Sequence, residues 1–206
     1  DANAEQGDGC LRSCFEASTA LCAGLCSDSG TERELGARQS QQLNGTDPSD
    51  DDRFGGALAF DGQRLMVGTA KDDERGFNSG SVTVFARDDG DGSFLETQVF
   101  VAEDGGQTNY FGSALAMAGD GVVVGAYRDD DNGDESGSAY VFVRGPDGRY
   151  VESQKLLPNA GAAEDLFGWA VAMAGDVILV GAPGDDERGN GAGAVYVFAQ
   201  ESGLSR

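Results

Sequence analysis

Among its 206 residues the chain has no histidine. Without imidazole there is no Ser-His dyad and no histidine base or metal ligand, which removes the commonest routes of hydrolytic and metal-assisted catalysis. Basic residues are also scarce: 14 Lys and Arg stand against 36 Asp and Glu, a formal charge of −22. Such a polyanion repels nucleic acid and anionic lipid, so both are excluded as expected partners. No run approaches the roughly 18 to 20 apolar residues that span a bilayer, and no charged-then-apolar signal segment opens the sequence, so no membrane insertion is expected. Proline is rare, with four residues, and no glycine-rich phosphate loop follows a strand and opens a helix.

Cysteine is absent after residue 26. All four cysteines, Cys10, Cys14, Cys22 and Cys26, lie in one short stretch. An even count in a tight cluster reads as disulfides formed in an oxidising compartment. The spacing of four places cysteines on one helical face, and a bend near Ser18-Thr19 would give a helical hairpin pairing Cys10 with Cys26 and Cys14 with Cys22. That is one of three possible connectivities. A four-thiolate zinc site and disulfides between protomers are the other readings.

What the chain has in abundance is glycine, 33 residues, and a repeat. Phe54-Gly55, Phe111-Gly112 and Phe167-Gly168 recur at intervals of 57 and 56 residues. Each pair opens an apolar run, a Gly-centred turn and a second run ending in glycine: FGGALAFDGQRLMVGTA, FGSALAMAGDGVVVGAY and FGWAVAMAGDVILVGAP. An acidic loop then leads to a third run ending at Phe85, Phe142 or Phe198, always 31 residues after the first phenylalanine. Upstream, Gln41, Gln98 and Gln154 each stand two residues before Leu43, Phe100 and Leu156, which lie 11 residues before their Phe-Gly. The segments are short, rich in Val, Phe and Tyr, and bounded by Gly and Asp-Gly turns, so they are expected as strands of antiparallel hairpins. In the second copy the strands are expected at about 93–101, 112–118, 121–126 and 137–143. Copy one is weaker at its first strand, where Ala37 and Arg38 replace Phe94-Leu95 and Tyr150-Val151, a loss that a terminal strand tolerates.

The Phe-Gly pair followed by Val-Gly-Ala-Pro, clearest from Phe167 to Pro183, resembles the FG-GAP repeats of integrin-α-like β-propellers, in their shorter bacterial-type units. The resemblance covers about residues 34–203 and implies blades of four antiparallel strands, with glycines where sheets approach closely and the phenylalanine between blades. The expected fold is therefore all-β. It comprises three tandem blades of an incomplete propeller ring, at 34–91, 92–147 and 148–203, after a Cys-rich helical segment at 1–30 and a stretch at 31–53 holding a linker and the first strand of blade one. Propellers need four to eight blades, so three leave flanks that neighbours must cover. Either the chain is a fragment or copies complete one another, as a ring or a filament.

Many blades of the family carry a calcium loop between the Phe-Gly and Gly-Ala-Pro strands. Here the equivalent turns, 60–63, 118–121 and 174–177, are too short and hold one acid each. Acids cluster instead after the glycine strand, and in the middle loop Asp129, Asp131 and Asp134 are the candidate calcium ligands, because calcium favours several oxygens on a flexible turn. No other cofactor is expected. Paired carboxylates recur in equivalent places in all three copies, which suits architecture better than catalysis. Asn44-Gly45-Thr46 is the single N-glycosylation sequon, with Asn44 the acceptor if the source is a eukaryotic secretory pathway. The expected function is a non-enzymatic structural protein, extracellular or at the cell surface, that self-associates into a fibre or adhesive appendage. The alternative is a module of a larger seven-bladed propeller that binds protein or carbohydrate through its loops.

Overall fold

Val-rich segments punctuated by glycine turns bury their faces by pairing into sheets that stack, and the chain forms three such sheets with an apolar cluster at each of two junctions. The computed structural model describes residues 38–199. The chain divides into two units, residues 1–40 and 41–206, and every strand of the described residues lies in the second. The Cys-rich segment, with its expected helix and disulfides, lies outside the described residues.

The first sheet contains β1 (Ala57–Phe60), β2 (Arg64–Thr69), β3 (Ser81–Arg87) and β4 (Phe94–Phe100), hydrogen-bonded in chain order. The second repeats it with β5 (Ala114–Ala118), β6 (Gly121–Ala126), β7 (Ser138–Arg144) and β8 (Tyr150–Leu156). The third holds β9 (Ala170–Ala174), β10 (Val177–Ala182) and β11 (Ala194–Ala199), three strands among the described residues rather than the expected four. All pairs are antiparallel, and β4 and β8 each join through a bulge, at Val84/Phe85 and Val141/Phe142. A bulge sharpens the local twist of a sheet.

The fold is all-β among the described residues, but the phase of the expected blade needs correction. The strand expected to open the second copy, 93–101, instead closes the first sheet, where Val82 pairs with Phe100 and Arg87 with Phe94. Each sheet thus begins just after its Phe-Gly pair, and the first two end on the first strand of the next sequence copy. The sequence unit and the sheet are offset by one strand.

The 31-residue offset between phenylalanines is a contact. Phe54 meets Phe85, Phe111 meets Phe142 and Phe167 meets Phe198, with ring centroids 6.2, 5.7 and 6.0 Å apart and steep interplanar angles. Edge-to-face pairing of this kind adds to area burial. Phe111 also touches Phe100 of the first sheet, so its ring sits at the junction of two blades. One apolar cluster joins Met66, Val82 and Val84 of the first sheet to Val122, Val124 and Tyr140 of the second. A second cluster joins Val123 and Ala139 to Ile178 and Val180 of the third.

Glycine makes that stacking possible. A Cβ placed on Gly68 would overlap the carbonyl oxygen of Gly112, and one on Gly125 would overlap that of Gly168. Both obstacles are backbone and cannot swing away. Replacing Gly125 with valine should therefore prise the second and third sheets apart, costing about 3 kcal/mol of stability and about 10 °C of melting temperature. Thermal unfolding followed by circular dichroism checks this, and an unchanged melting temperature would contradict it.

Candidate functional site

At one end of each sheet the loop after the glycine strand begins with an aspartate in the same register: Asp72, Asp129 and Asp185. Each carboxylate accepts the N–H two residues on, from Glu74 at 2.8 Å, Asp131 at 3.2 Å and Glu187 at 3.2 Å, the Asx geometry that lets a short acid close a turn. Each also accepts a hydroxyl from the third strand of its sheet. The donors are Ser81 at 2.6 Å, Tyr140 at 3.0 Å and Tyr196 at 2.5 Å. The first acid of every acidic triplet therefore points inward and fastens its loop to the sheet.

The middle copy elaborates this plan. Asp129 is buried and is bonded by Asn109 Nδ2 at 2.8 Å and by Lys155 Nζ at 3.2 Å. Lys155 pairs also with Asp104 at 2.8 Å and Asp131 at 2.7 Å, and lies 5.0 Å from the centre of the Tyr140 ring. Burial, reinforced by Asp129, pushes the Tyr140 hydroxyl far above its ordinary range, so it remains a donor between Asp104 and Asp129. Burial works to raise the Asp104 pKa, but hydrogen bonds from Lys155 and Tyr140 outweigh it and hold the carboxyl below its usual range. Burial likewise works to lower Lys155, and Asp104, Asp131 and Asp129 reverse it.

Of the calcium candidates, Asp129 and Asp131 converge on Lys155, whereas Asp134 is exposed and its backbone carbonyl accepts Glu164 N–H at 2.8 Å. Among the described residues no three Asp, Glu, Cys or His side chains come close enough to share an ion. Calcium at this loop would have to displace the ammonium. Asn44 is exposed, while Thr46 of its sequon donates to Glu96 at 2.9 Å. In the first blade Thr83 and Val99 stand where Tyr140 and Lys155 stand in the second. That exchange leaves an open groove of about 480 Å³ beside Asp47, Asp52 and Asp72.

Two further surfaces distinguish the blades. The first is aromatic: Tyr127 lies 4.7 Å from Trp169 and 5.5 Å from Tyr110, and the Arg128 guanidinium stands over both tyrosines. These positions break the repeat, since Ala70 and Pro183 stand at the place of Tyr127, and Gly56 and Ser113 at that of Trp169. The second is the flank of the third sheet that no other described sheet covers. Val82 and Ala139 are 0% exposed, yet Val195 in the same register is 67% exposed. Met66 and Val123, at 0%, become Leu179 at 38%. At the other end of the stack, Leu58 and Phe60 of the first sheet are exposed.

The family model described as FG-GAP repeat matches three segments, residues 37–85, 94–142 and 150–198. The chain belongs to the FG-GAP repeat family. Its second and third matched segments start on β4 and β8, the strands that close the preceding sheets, so the FG-GAP unit has the phase of the sequence copies and not of the sheets. A comparison with curated proteins gives no match. Among the described residues no helix is long and apolar enough to cross a membrane.

Lys155, Tyr140 and Asn109 escaped the reading of the sequence, and the signal that marks them is the local departure from the repeat. Substituting Lys155 with methionine should leave the Asp129 carboxylate buried without its counter-charge and cost about 3 kcal/mol at neutral pH. Because the Asp104 pKa is depressed, its contribution is present above the ordinary carboxylate pKa near about 4 and is lost as the pH falls through its lower folded value. Urea unfolding at neutral and acid pH should show the parent losing this stability below about pH 4 and K155M losing less. Equal acid sensitivity in the two proteins would count against the assignment.

Proposed function

We propose that this FG-GAP protein is a non-enzymatic structural module, extracellular or at the cell surface, whose blades stack head to tail on further copies of the chain to build a fibre or adhesive appendage. The observation that carries the reading is Gly181. At the matching positions Gly68 and Gly125 the next sheet's Phe-Gly carbonyl leaves no room for a side chain. At Gly181 a Cβ would meet nothing nearer than Ala170 at 3.6 Å, an ordinary contact. Among the described residues the third sheet keeps the glycine of a junction without the neighbour that requires it.

The remaining parts of a junction support the same reading. Within the chain, the N–H groups of Thr108, Tyr110 and Phe111 bond the carbonyls of Phe77, Asn78 and Ser79 at 2.7, 3.1 and 3.0 Å. Glu164, Leu166 and Phe167 repeat this on Asp134, Glu135 and Ser136 at 2.8, 3.2 and 2.9 Å. At the leading end Asp51 and Arg53 hold the same left-handed backbone, φ 70° and 60°, as Thr108 and Tyr110 at 64° and 57°. At the trailing end Asn190, Gly191 and Ala192 occupy the acceptor positions and are exposed. Because the leading and trailing surfaces differ, the contact is heterologous and generates a ring or an open filament.

A second reading is favoured by the Tyr110, Tyr127, Arg128 and Trp169 patch, where the copies diverge. In that reading the blades belong to a larger propeller that binds protein or carbohydrate through this aromatic surface. The two separate experimentally: Trp169→Ala would abolish ligand capture and leave assembly intact, whereas changes on the open flank would do the reverse.

Size-exclusion chromatography with light scattering should show concentration-dependent association that strengthens with salt, since screening weakens the repulsion between chains of charge −22. Gly181→Val, and Val197→Asp at a β11 residue that is exposed beside Val195, should each yield a monomer with the parent's melting temperature. A parent that stays monomeric at high concentration and high salt would refute the assembly.

A further inference from the structure

We propose that residues 38–43 of one copy add to the third sheet of another copy as its fourth strand, pairing antiparallel with the outer edge of β11. The inference rests on the head-to-tail reading above and names the segment that completes it.

The register comes from the chain itself. β4 and β8 fill the fourth position of the first two sheets, with Phe100 opposite Val82 and Leu156 opposite Ala139. In the sequence, Leu43 is the third member of the Phe100 and Leu156 set, and Gln41 the third of Gln98 and Gln154. The first copy therefore carries a segment equivalent to a fourth strand that, among the described residues, no sheet of its own chain uses. Among the described residues β11 pairs only with β10, and its other edge carries no strand. Unpaired edges of this kind accept an added strand readily.

The segment is already seated as such a strand would be. In the second junction Gln98 uses its side-chain amide as a two-pronged clamp, donating to Tyr150 O at 2.8 Å and accepting from Tyr150 N at 2.8 Å. Gln41 does the same to Phe94, donating to its O at 2.9 Å and accepting from its N at 2.8 Å. Thus Gln41 stands to β4 as Gln98, itself in β4, stands to β8. Gln154 is the third clamp, and among the described residues its amide has no partner. In the assembly it meets the incoming segment of the next copy, while Leu43 falls opposite Val195 and Gln42 opposite Tyr196.

Two single variants, Leu43→Cys and Val195→Cys, are mixed and oxidised, and digests are searched by mass spectrometry for a peptide linking positions 43 and 195. Directly opposed residues of an antiparallel pair have Cβ atoms about 4.5–5.5 Å apart, within reach of a disulfide. The expected result is that linkage, with little or none when Leu43→Cys is mixed with Tyr196→Cys, which lies one residue out of register on the other face. Gln154→Ala should weaken association about tenfold without altering the monomer's melting temperature. Association that persists with no 43–195 linkage would overturn strand addition while leaving face-to-face stacking in place. Absence of association in the parent would overturn both.

Discussion

The close approach of one peptide carbonyl to one glycine organises this molecule. Where the Phe-Gly turn of a blade presses its backbone against the preceding sheet, any side chain at Gly68 or Gly125 would block the contact. Everything apolar at the junctions depends on that proximity. Val82, Met66 and Val123 are sealed because the next sheet lies directly against them, and Phe111 can pack with both Phe100 and Phe142. Hydrophobic burial supplies the driving force, but backbone clearance decides whether the sheets come near enough to use it.

Much of this architecture is legible in the amino-acid order. The Phe-Gly pairs mark the start of each sheet, the Val-rich runs fall within a residue or two of β5, β6 and β7, and the constant 31-residue spacing is a ring-to-ring contact. The phase of the sheets is not legible. Strand pairing across a copy boundary is decided by which edge lies alongside in space, and the linear repeat is equally satisfied by either partition. Periodicity reports that four strands recur; it carries no information on where a sheet is cut.

The acidic triplets show a different limit. Three consecutive acids look like a set of ligands, yet the first turns inward to close its own turn, Asp73 and Asp130 accept the backbone N–H of Asn78 and Glu135, and Asp131 lies on a lysine. Asp129 illustrates this: its oxygens are taken by Asn109, Tyr140, Lys155 and the Asp131 N–H. Lys155 is the residue that changes the meaning of the loop, and it lies 26 positions away on another strand. The aromatic surface around Tyr127 and Trp169 was equally hidden, since its members are ordinary hydrophobic residues until the fold places them side by side.

The one-strand offset between sequence copy and sheet bears on how such proteins lengthen. Each copy begins with the strand its predecessor lacks, so a tandem duplication in the gene inserts a finished sheet and leaves no orphan edge in the interior. Imperfections are confined to the two ends, whatever the number of units. Genetic expansion and contraction of the array can therefore proceed without redesigning any internal junction.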